Sequence, residues 1–188
     1  MSRESDIRLK PLQVPLMYAF RDAARARDAR REERIMDATE ARVLTERGSV
    51  RRRGANEVEL KRNLDIDLTN LVNTVCLGSV IDLGEFPQVQ RSILNFGVRD
   101  ISHMTSEAVS ASDLAANLRD ALISHEPRLI PESLEVSLRS ELDEVNQRIA
   151  FEVSAEMACR PVDIPLEFVA EIDVGSGKVR LSNIANRA

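Results

Sequence analysis

The sequence predicts an α+β domain in which N-terminal helices pack on a C-terminal antiparallel β-meander of three to four strands. Three observations carry that expectation. Apolar residues recur at helical spacing up to about residue 126. Beyond Pro131 the apolar period drops to two. The two regimes follow one another instead of alternating, which separates helices from strands rather than building β-α-β units. A chain of 188 residues, 43% hydrophobic and 30% charged, has globular composition and length for one domain with a real core.

Taken in order, the Ala-, Arg-, Glu- and Asp-rich stretch from Tyr18 to Arg47 predicts helix, with a thin apolar face at Ala23, Ala24, Ala26 and Ala29. Gly48 to Gly54, with Arg51, Arg52 and Arg53 inside it, reads as a solvated linker. Residues 1–55 are therefore expected to form a basic, partly helical arm and linker, and residues 56–188 the folded domain. Asn56-Glu57-Val58-Glu59 has the pattern of a capping box, in which Asn56 accepts from the Glu59 amide and Glu59 reaches back to the Asn56 amide. Leu64, Leu68, Leu71, Val72 and Val75 continue at helical spacing and predict one buried face.

Pro87 suits the first turn of a short second helix carrying Val89, Ile93 and Leu94 and stopping at Gly97. A third helix starts after Ser110 or Ser112, buries Leu114, Leu118, Ala121 and Leu122, and ends at Pro127. Three alternating segments follow. Leu134, Val136 and Leu138 alternate with polar residues, as do Ile149, Phe151, Val153, Ala155 and Met157, and Leu166, Phe168, Ala170 and Ile172 alternate with Glu167, Val169 and Glu171. Gly175-Ser176-Gly177 then makes a tight turn into a short last strand, Lys178 to Leu181.

Charge is distributed unevenly. Residues 1–53 hold 14 Lys and Arg against 9 Asp and Glu, whereas residues 54–188 hold 12 against 22, so a basic arm precedes an acidic body. Aromatic content is 3%, with no Trp and one Tyr, which leaves little from which to build a stacking platform for nucleic acid or sugar. Cys76 and Cys159 lack C-x-x-C spacing and stand apart from His103 and His125, so neither a disulfide framework nor a zinc site is expected, and no cofactor. The polar N-terminus has no apolar signal core, and the most apolar window, Leu71 to Leu83, is broken by Asn73 and Asp82. The expected setting is cytoplasmic.

Gly175-Ser176-Gly177-Lys178 invites comparison with a phosphate loop. The pattern fails because Ile172 stands where the first glycine belongs, Val179 replaces the Ser or Thr, and a strand follows instead of a helix. Ser124-His125-Glu126 is not a triad, since adjacent residues at a helix end point in different directions. His125 reads instead as a helix C-terminal residue favoured by the dipole. No catalytic residue and no metal ligand is assigned.

The stretch Ser124 to Pro131, "SHEPRLIP", is the sharpest feature. If the two prolines hold it extended, Glu126 and Arg128 project to the same side and Pro127 faces away. A guanidinium there favours the ionised carboxylate, whereas a glycosidase general acid must stay protonated. The same geometry serves a surface pair worth roughly 0–1 kcal/mol and a rigid two-pronged hook for a partner's charges. The residues alone do not separate these two.

The ordered series "LKRNLDIDLTNLVNTV" (Leu60 to Val75), "SILNFGVRDIS" (Ser92 to Ser102) and "HEPRL" (His125 to Leu129), followed by alternating strands, resembles the TssE family of type VI secretion baseplate subunits. That family belongs to the phage baseplate wedge proteins once labelled lysozyme-like. The resemblance covers about residues 58–184, with "VPLMYAFRD" (Val14 to Asp22) as a fainter likeness in the arm. Phe96 and Val98 depart from the family's commoner Tyr and Leu or Met. The resemblance implies a structural protein without enzymatic activity, at the periphery of the baseplate wedge, with a fold similar to the handshake domain of sheath subunits. It implies that Glu126, Pro127, Arg128 and Leu129 form a docking element. The implied partners are TssF-, TssG- and TssK-like wedge subunits, and TssB- and TssC-like sheath subunits met by strands between Leu134 and Ile172. The implied place of assembly is the cytoplasmic face of the inner membrane.

Two other classes compete. A peptidoglycan-cleaving lysozyme-like enzyme is disfavoured by the lack of a second well-placed acid motif, of a secretion signal and of aromatic sugar platforms. A nucleic-acid binder using the Arg-rich arm is disfavoured by the acids interspersed among its arginines.

Overall fold

The computed structural model describes residues 16–27, 32–36, 41–45, 56–100, 111–143 and 148–185. The expected arginine-rich linker at 48–54 lies outside the described residues. Two compact units make up the chain, residues 1–63 with 159–162, and residues 64–158 with 163–188.

The first unit opens with helix α1, Leu16–Ala26. It buries Tyr18 and Ala23, and the Arg21 guanidinium lies 5.8 Å from the centre of the Tyr18 ring. Arg21 Nη1 also donates to Asn63 Oδ1 at 3.2 Å, and Asn63 Nδ2 donates to the Glu59 carbonyl at 3.0 Å, so the amide of this buried Asn is engaged on both sides.

The long helix expected from Tyr18 to Arg47 does not form. Arg27 turns to φ 52°, a left-handed conformation that stops α1, and an antiparallel pair follows, β1 (Glu32–Met36) and β2 (Ala41–Thr45). Helix propensities differ by only a few tenths of a kcal/mol per residue, so a composition favourable to helix is a weak constraint. The β-branched residues Ile35, Val43 and Thr45 fall in the paired segments, where such side chains are favoured.

Helix α2, Glu57–Val72, begins at the expected capping box. Asn56 Oδ1 accepts from the Glu59 amide at 2.7 Å, and Glu59 Oε2 accepts from the Asn56 amide at 3.2 Å. Lys61 pairs with Glu57 one turn earlier at 2.7 Å. Leu64, Leu68, Leu71 and Val72 are buried, as their spacing predicts, and so is Leu60. Val75 is not on this face: the helix ends at Val72, and Val75 is half exposed in a parallel bridge to Val98.

In the second unit, the connector after α2 is less regular than expected. Pro87 occupies the first turn of α3, but this helix is only Pro87–Gln90, and Ile93–Asn95 form a separate 3-10 turn. Helix α4, Ala111–His125, buries the four expected residues Leu114, Leu118, Ala121 and Leu122. Four antiparallel strands complete the unit in the order β3 (Glu135–Asp143), β4 (Arg148–Met157), β5 (Ile164–Asp173) and β6 (Val179–Ala185). The fold is α+β with the meander at its C-terminal end.

Strand β4 alternates as its sequence does, burying Ile149, Phe151, Val153, Ala155 and Met157. Strand β5 does so less cleanly. Val169, expected on the wet face, is buried together with Phe168 and Ala170. Helix α4 lies against β3. Phe151, Phe168, Leu64, Leu68, Leu122 and Leu166 are fully buried, each worth about 1.5–3 kcal/mol of transfer from water.

The turn at Gly175 to Gly177 is the expected hairpin. Gly177 takes φ 67°, Gly177 N–H donates to the Asp173 carbonyl at 2.9 Å, and the Ser176 amide donates to Asp173 Oδ1 at 2.9 Å. Asn73, which interrupts the apolar window of the sequence, has a structural task on the neighbouring strand. Its Nδ2 donates to the Val179 carbonyl at 2.9 Å and its Oδ1 accepts from the Val179 amide at 3.2 Å. The side-chain amide thus pairs with Val179 as the backbone of an adjoining strand would.

Candidate functional site

Residues Ser124 to Pro131 join α4 to β3, and their local structure follows from the two prolines. The Glu126 amide still donates to the Leu122 carbonyl at 2.9 Å, closing the last turn of the helix. Pro127 cannot donate the next bond and stops it. The segment is not extended as expected: the Leu129 amide donates to the Glu126 carbonyl at 3.1 Å, which closes a tight turn with Pro127 and Arg128 at its centre. Proline at the second position of such a turn is favoured because its φ is already set.

The chain then runs beside the end of β4. Ala158 N–H donates to the Arg128 carbonyl at 2.7 Å and Ile130 N–H to the Glu156 carbonyl at 2.9 Å, with Leu129 bridging Met157. Ser133 Oγ donates to the Ile130 carbonyl and accepts from the Glu156 amide, both at 2.8 Å. Leu129 is buried and Pro127 is exposed.

Glu126 and Arg128 do meet, but through the turn. Arg128 Nε donates to Glu126 Oε1 at 2.6 Å and Nη2 to Oε2 at 2.5 Å, a bidentate fork on one carboxylate. The Arg128 backbone amide adds a further bond to Oε1 at 3.1 Å. The same Nη2 donates to Asp67 Oδ2 on α2 at 2.8 Å. Glu126 is 5% exposed. The reading of the two as a surface pair is therefore corrected: a buried carboxylate is held by a guanidinium that also reaches another helix.

The neighbouring members of the tempting trio point elsewhere. Ser124 is exposed, and the His125 ring stands edge-on to Phe96 with centroids 5.3 Å apart. Burial pushes the His125 pKa below its ordinary 6.5, opposed in part by a hydrogen bond with the Asn95 backbone. The helix dipole expected to favour its charge does not set the direction of the shift.

Beside His125 lies an open cleft of about 630 Å³ whose lining includes Asn95, Arg99, Asn117 and Asp120. Among the described residues that line it, Asp120 is the one carboxylate, whereas paired glycoside hydrolysis draws on two. Among the described residues no group of three or more His, Cys, Asp or Glu is placed to hold a metal ion. Nor is any described helix long and apolar enough to cross a membrane.

The model of the family "Baseplate wedge protein gp25" matches residues 58–162, more than half of the chain. The chain belongs to the baseplate wedge protein gp25 family. This family includes TssE, and its members are structural components of baseplates. No curated protein and no solved structure matches the chain significantly.

The family match covers α2, the connector, α4, the turn and the first two strands of the meander. Of the residues singled out by sequence, Glu126 and Arg128 are joined directly, Leu129 is buried beside Met157, and Pro127 faces solvent. Sequence reasoning missed Asp67. Its signal was present but faint: Asp65 and Asp67 both interrupt an apolar helix, and nothing in the local sequence says which of them meets a cation 61 positions away.

Proposed function

We propose that the chain is a non-enzymatic structural wedge component of a type VI secretion system, a contractile injection machine, with residues 56–188 as its wedge domain. In this reading the Glu126–Leu129 element docks to TssF-, TssG- and TssK-like wedge subunits. An edge of the four-stranded sheet, β3 or β6, templates TssB- and TssC-like sheath subunits by strand addition. Assembly takes place in the cytoplasm at the inner face of the inner membrane.

The observation that carries the reading is the family match over residues 58–162. Two features support the finer assignment. Main-chain bonds on both sides pin the turn, so Pro127 is presented on a preorganised backbone and little ordering entropy is lost on docking. The edges of the meander supply main-chain donors and acceptors suited to an added strand. The lysozyme-like alternative is disfavoured by Glu126 being held in a fork by Arg128, and by Asp120 being the one acid among the described residues that line the cleft.

The test is co-purification of the full chain with co-expressed TssF-, TssG- and TssK-like subunits, comparing wild type with Pro127→Lys and recording thermal melts of each protein alone. Lost co-purification with an unchanged melt supports docking through the turn. Retention by the variant moves docking elsewhere, and failure of the wild type to co-purify overturns the wedge reading. Clearing of a peptidoglycan suspension by the purified chain would reinstate the enzyme.

A further inference from the structure

The two edges of the meander differ in what they leave open. Glu156 on β4 turns both backbone groups toward the β3 side, its carbonyl accepting from the Ile130 amide at 2.9 Å and its amide donating to Ser133 Oγ at 2.8 Å. Directions alternate along a strand, so Ser154 and Glu152 also bond toward β3, and their partners Glu135 and Ser137 use both groups inside the sheet. The amides and carbonyls of Val136 and Leu138 therefore point outward from the edge. On β6 the outward position Val179 is already closed by the side-chain amide of Asn73. Side-chain cover differs in the same sense. Leu138 stands opposite the fully buried Phe151 yet is 45% exposed, whereas Val179, opposite Ile172, is 7% exposed. Helix α4 lies against β3, but cover over this row falls away from Leu134, which is buried, to Leu138.

We infer that β3 pairs with β3 of a second copy, antiparallel about a two-fold axis at Ser137, and so joins two four-stranded sheets into one. In that register the strand is complementary to itself. Val136 falls opposite Leu138 of the second copy, so the outward backbone groups meet one another and the two incompletely covered side chains lie side by side on the core face. Glu135 falls opposite Arg139 of the second copy on each side of the axis, and the two Ser137 hydroxyls meet at its centre. Glu135, Ser137 and Arg139 are exposed, and among the described residues neither Glu135 nor Arg139 is ion-paired. Registers centred on Val136 or on Leu138 separate Glu135 from Arg139 and lose the match.

The paired stretch ends at Arg139, because the register with β4 shifts between Leu138 and Ser140 and a bulged strand bends. Residues 135–139 hold one acid and one base, so the contact is locally neutral although residues 54–188 hold 22 acidic against 12 basic residues. On the same face of β4, Glu152 and Glu156 add negative charge beside Glu135 and strengthen its pull on an opposing arginine, whereas Arg148 lies beyond the bulges opposite Asp143. The contact is small, so the dimer forms at high protein concentration and dissociates on dilution. Self-pairing closes an edge that is otherwise open to any extended chain, and a strand added there by another protein has to displace it. It involves this chain alone and holds whether or not the wedge reading does.

The test is sedimentation equilibrium of the purified full chain over a concentration series, with amide exchange followed at Val136 and Leu138. Wild type should be dimeric at the top of the series and monomeric after dilution, with these two amides protected only in the dimer. Glu135→Arg alone and Arg139→Glu alone each set like charges opposite one another, and each should weaken the dimer at least about tenfold. Both side chains are exposed, so the melts of the diluted variants should match wild type. Mixing the two variants puts opposite charges across both pairs again, and the mixture should dimerise as wild type does. A wild type that stays monomeric at every concentration would overturn self-pairing and leave the β3 edge to a strand of another protein. Dimerisation that ignores both substitutions, or that leaves Val136 and Leu138 unprotected, would place the interface elsewhere and overturn it as well. So would two folded variants that fail to restore one another. If a variant does not fold, exchange at Val136 and Leu138 in the wild type decides alone.

Discussion

Arg128 Nη2 lies 2.8 Å from Asp67 Oδ2, joining residues 61 positions apart, while the same Nη2 together with Nε forks onto Glu126. The turn after α4 is thereby fastened to α2 by a side chain and to β4 by its backbone. Arg128→Ala should destabilise the domain by about 3–5 kcal/mol, because it leaves the carboxylate of a residue only 5% exposed without its cation. Arg128→Lys keeps a charge but not the fork, and should fall between the two. Urea unfolding measures both, and a loss below about 1 kcal/mol for the alanine variant would show that the fork is not a clamp.

Asn73 engages both backbone groups of Val179. Asn73→Leu should cost about 1–3 kcal/mol, since it strips both partners from a position that is 7% exposed. Asn73→Asp removes the donor and sets a carboxylate oxygen against the Val179 carbonyl, so it should cost at least as much despite its nearly identical shape. Amide exchange at Val179 reads the effect locally: protection should drop in both variants before global unfolding changes.

At the start of α2, Asn56→Ala should cost about 1 kcal/mol of stability, the usual worth of an N-cap. Glu59→Gln should be nearly silent, because glutamine can also return the bond to the Asn56 amide. Chemical denaturation followed by helix signal distinguishes the two.

The fold was legible in the sequence wherever a single period held over a whole element. Leu114, Leu118, Ala121 and Leu122 in α4, and Ile149 to Met157 in β4, are buried as their spacing requires. Legibility failed where composition replaced period. The stretch after Arg27 is rich in good helix formers but its sequence has no apolar stripe at helical spacing, and residues 32–36 and 41–45 form a strand pair instead. It failed again where a side chain serves a distant backbone: Asn73 reads as an interruption until Val179 is beside it, 106 positions later. Of the turn, the sequence shows the Glu126–Arg128 contact but not its cause, because two prolines permit either an extended path or a tight turn. The choice was made by the bonds to Glu156 and Ala158 at the end of β4.

Stability should also depend on pH through His125. Burial lowers its pKa in the folded state from 6.5, so between that lowered value and 6.5 the unfolded chain binds more protons than the folded one. Folding is therefore favoured as pH rises through this window and weakened as pH falls below 6.5. The Asp173 carboxyl, held below its ordinary 3.8 first by the Ser176 backbone, acts in the same direction at lower pH: its contribution is present above that value and is lost as pH falls through the folded one. His125→Gln should flatten the melting profile just below pH 6.5 while leaving the acid limb in place. An unchanged slope in the variant would mean that the histidine is equally protonated in both states.

Gly97 packs against the Thr74 carbonyl with φ 127°, and a β-carbon built there would overlap that oxygen and crowd the Cys76 amide. Both obstacles are backbone, so neither can rotate away. Gly97→Ala should therefore cost more than about 1 kcal/mol, combining a left-handed φ that L-residues avoid with a forced separation of the two segments bridged at Val75 and Val98. The damage should be local first. The Val98–Thr74 and Cys76–Val98 bonds hold the connector in shape, so their amides should lose exchange protection while those of β4 and β5 keep theirs. If Gly97→Ala melts like wild type and its connector amides stay protected, the close approach is not what sets the connector's conformation.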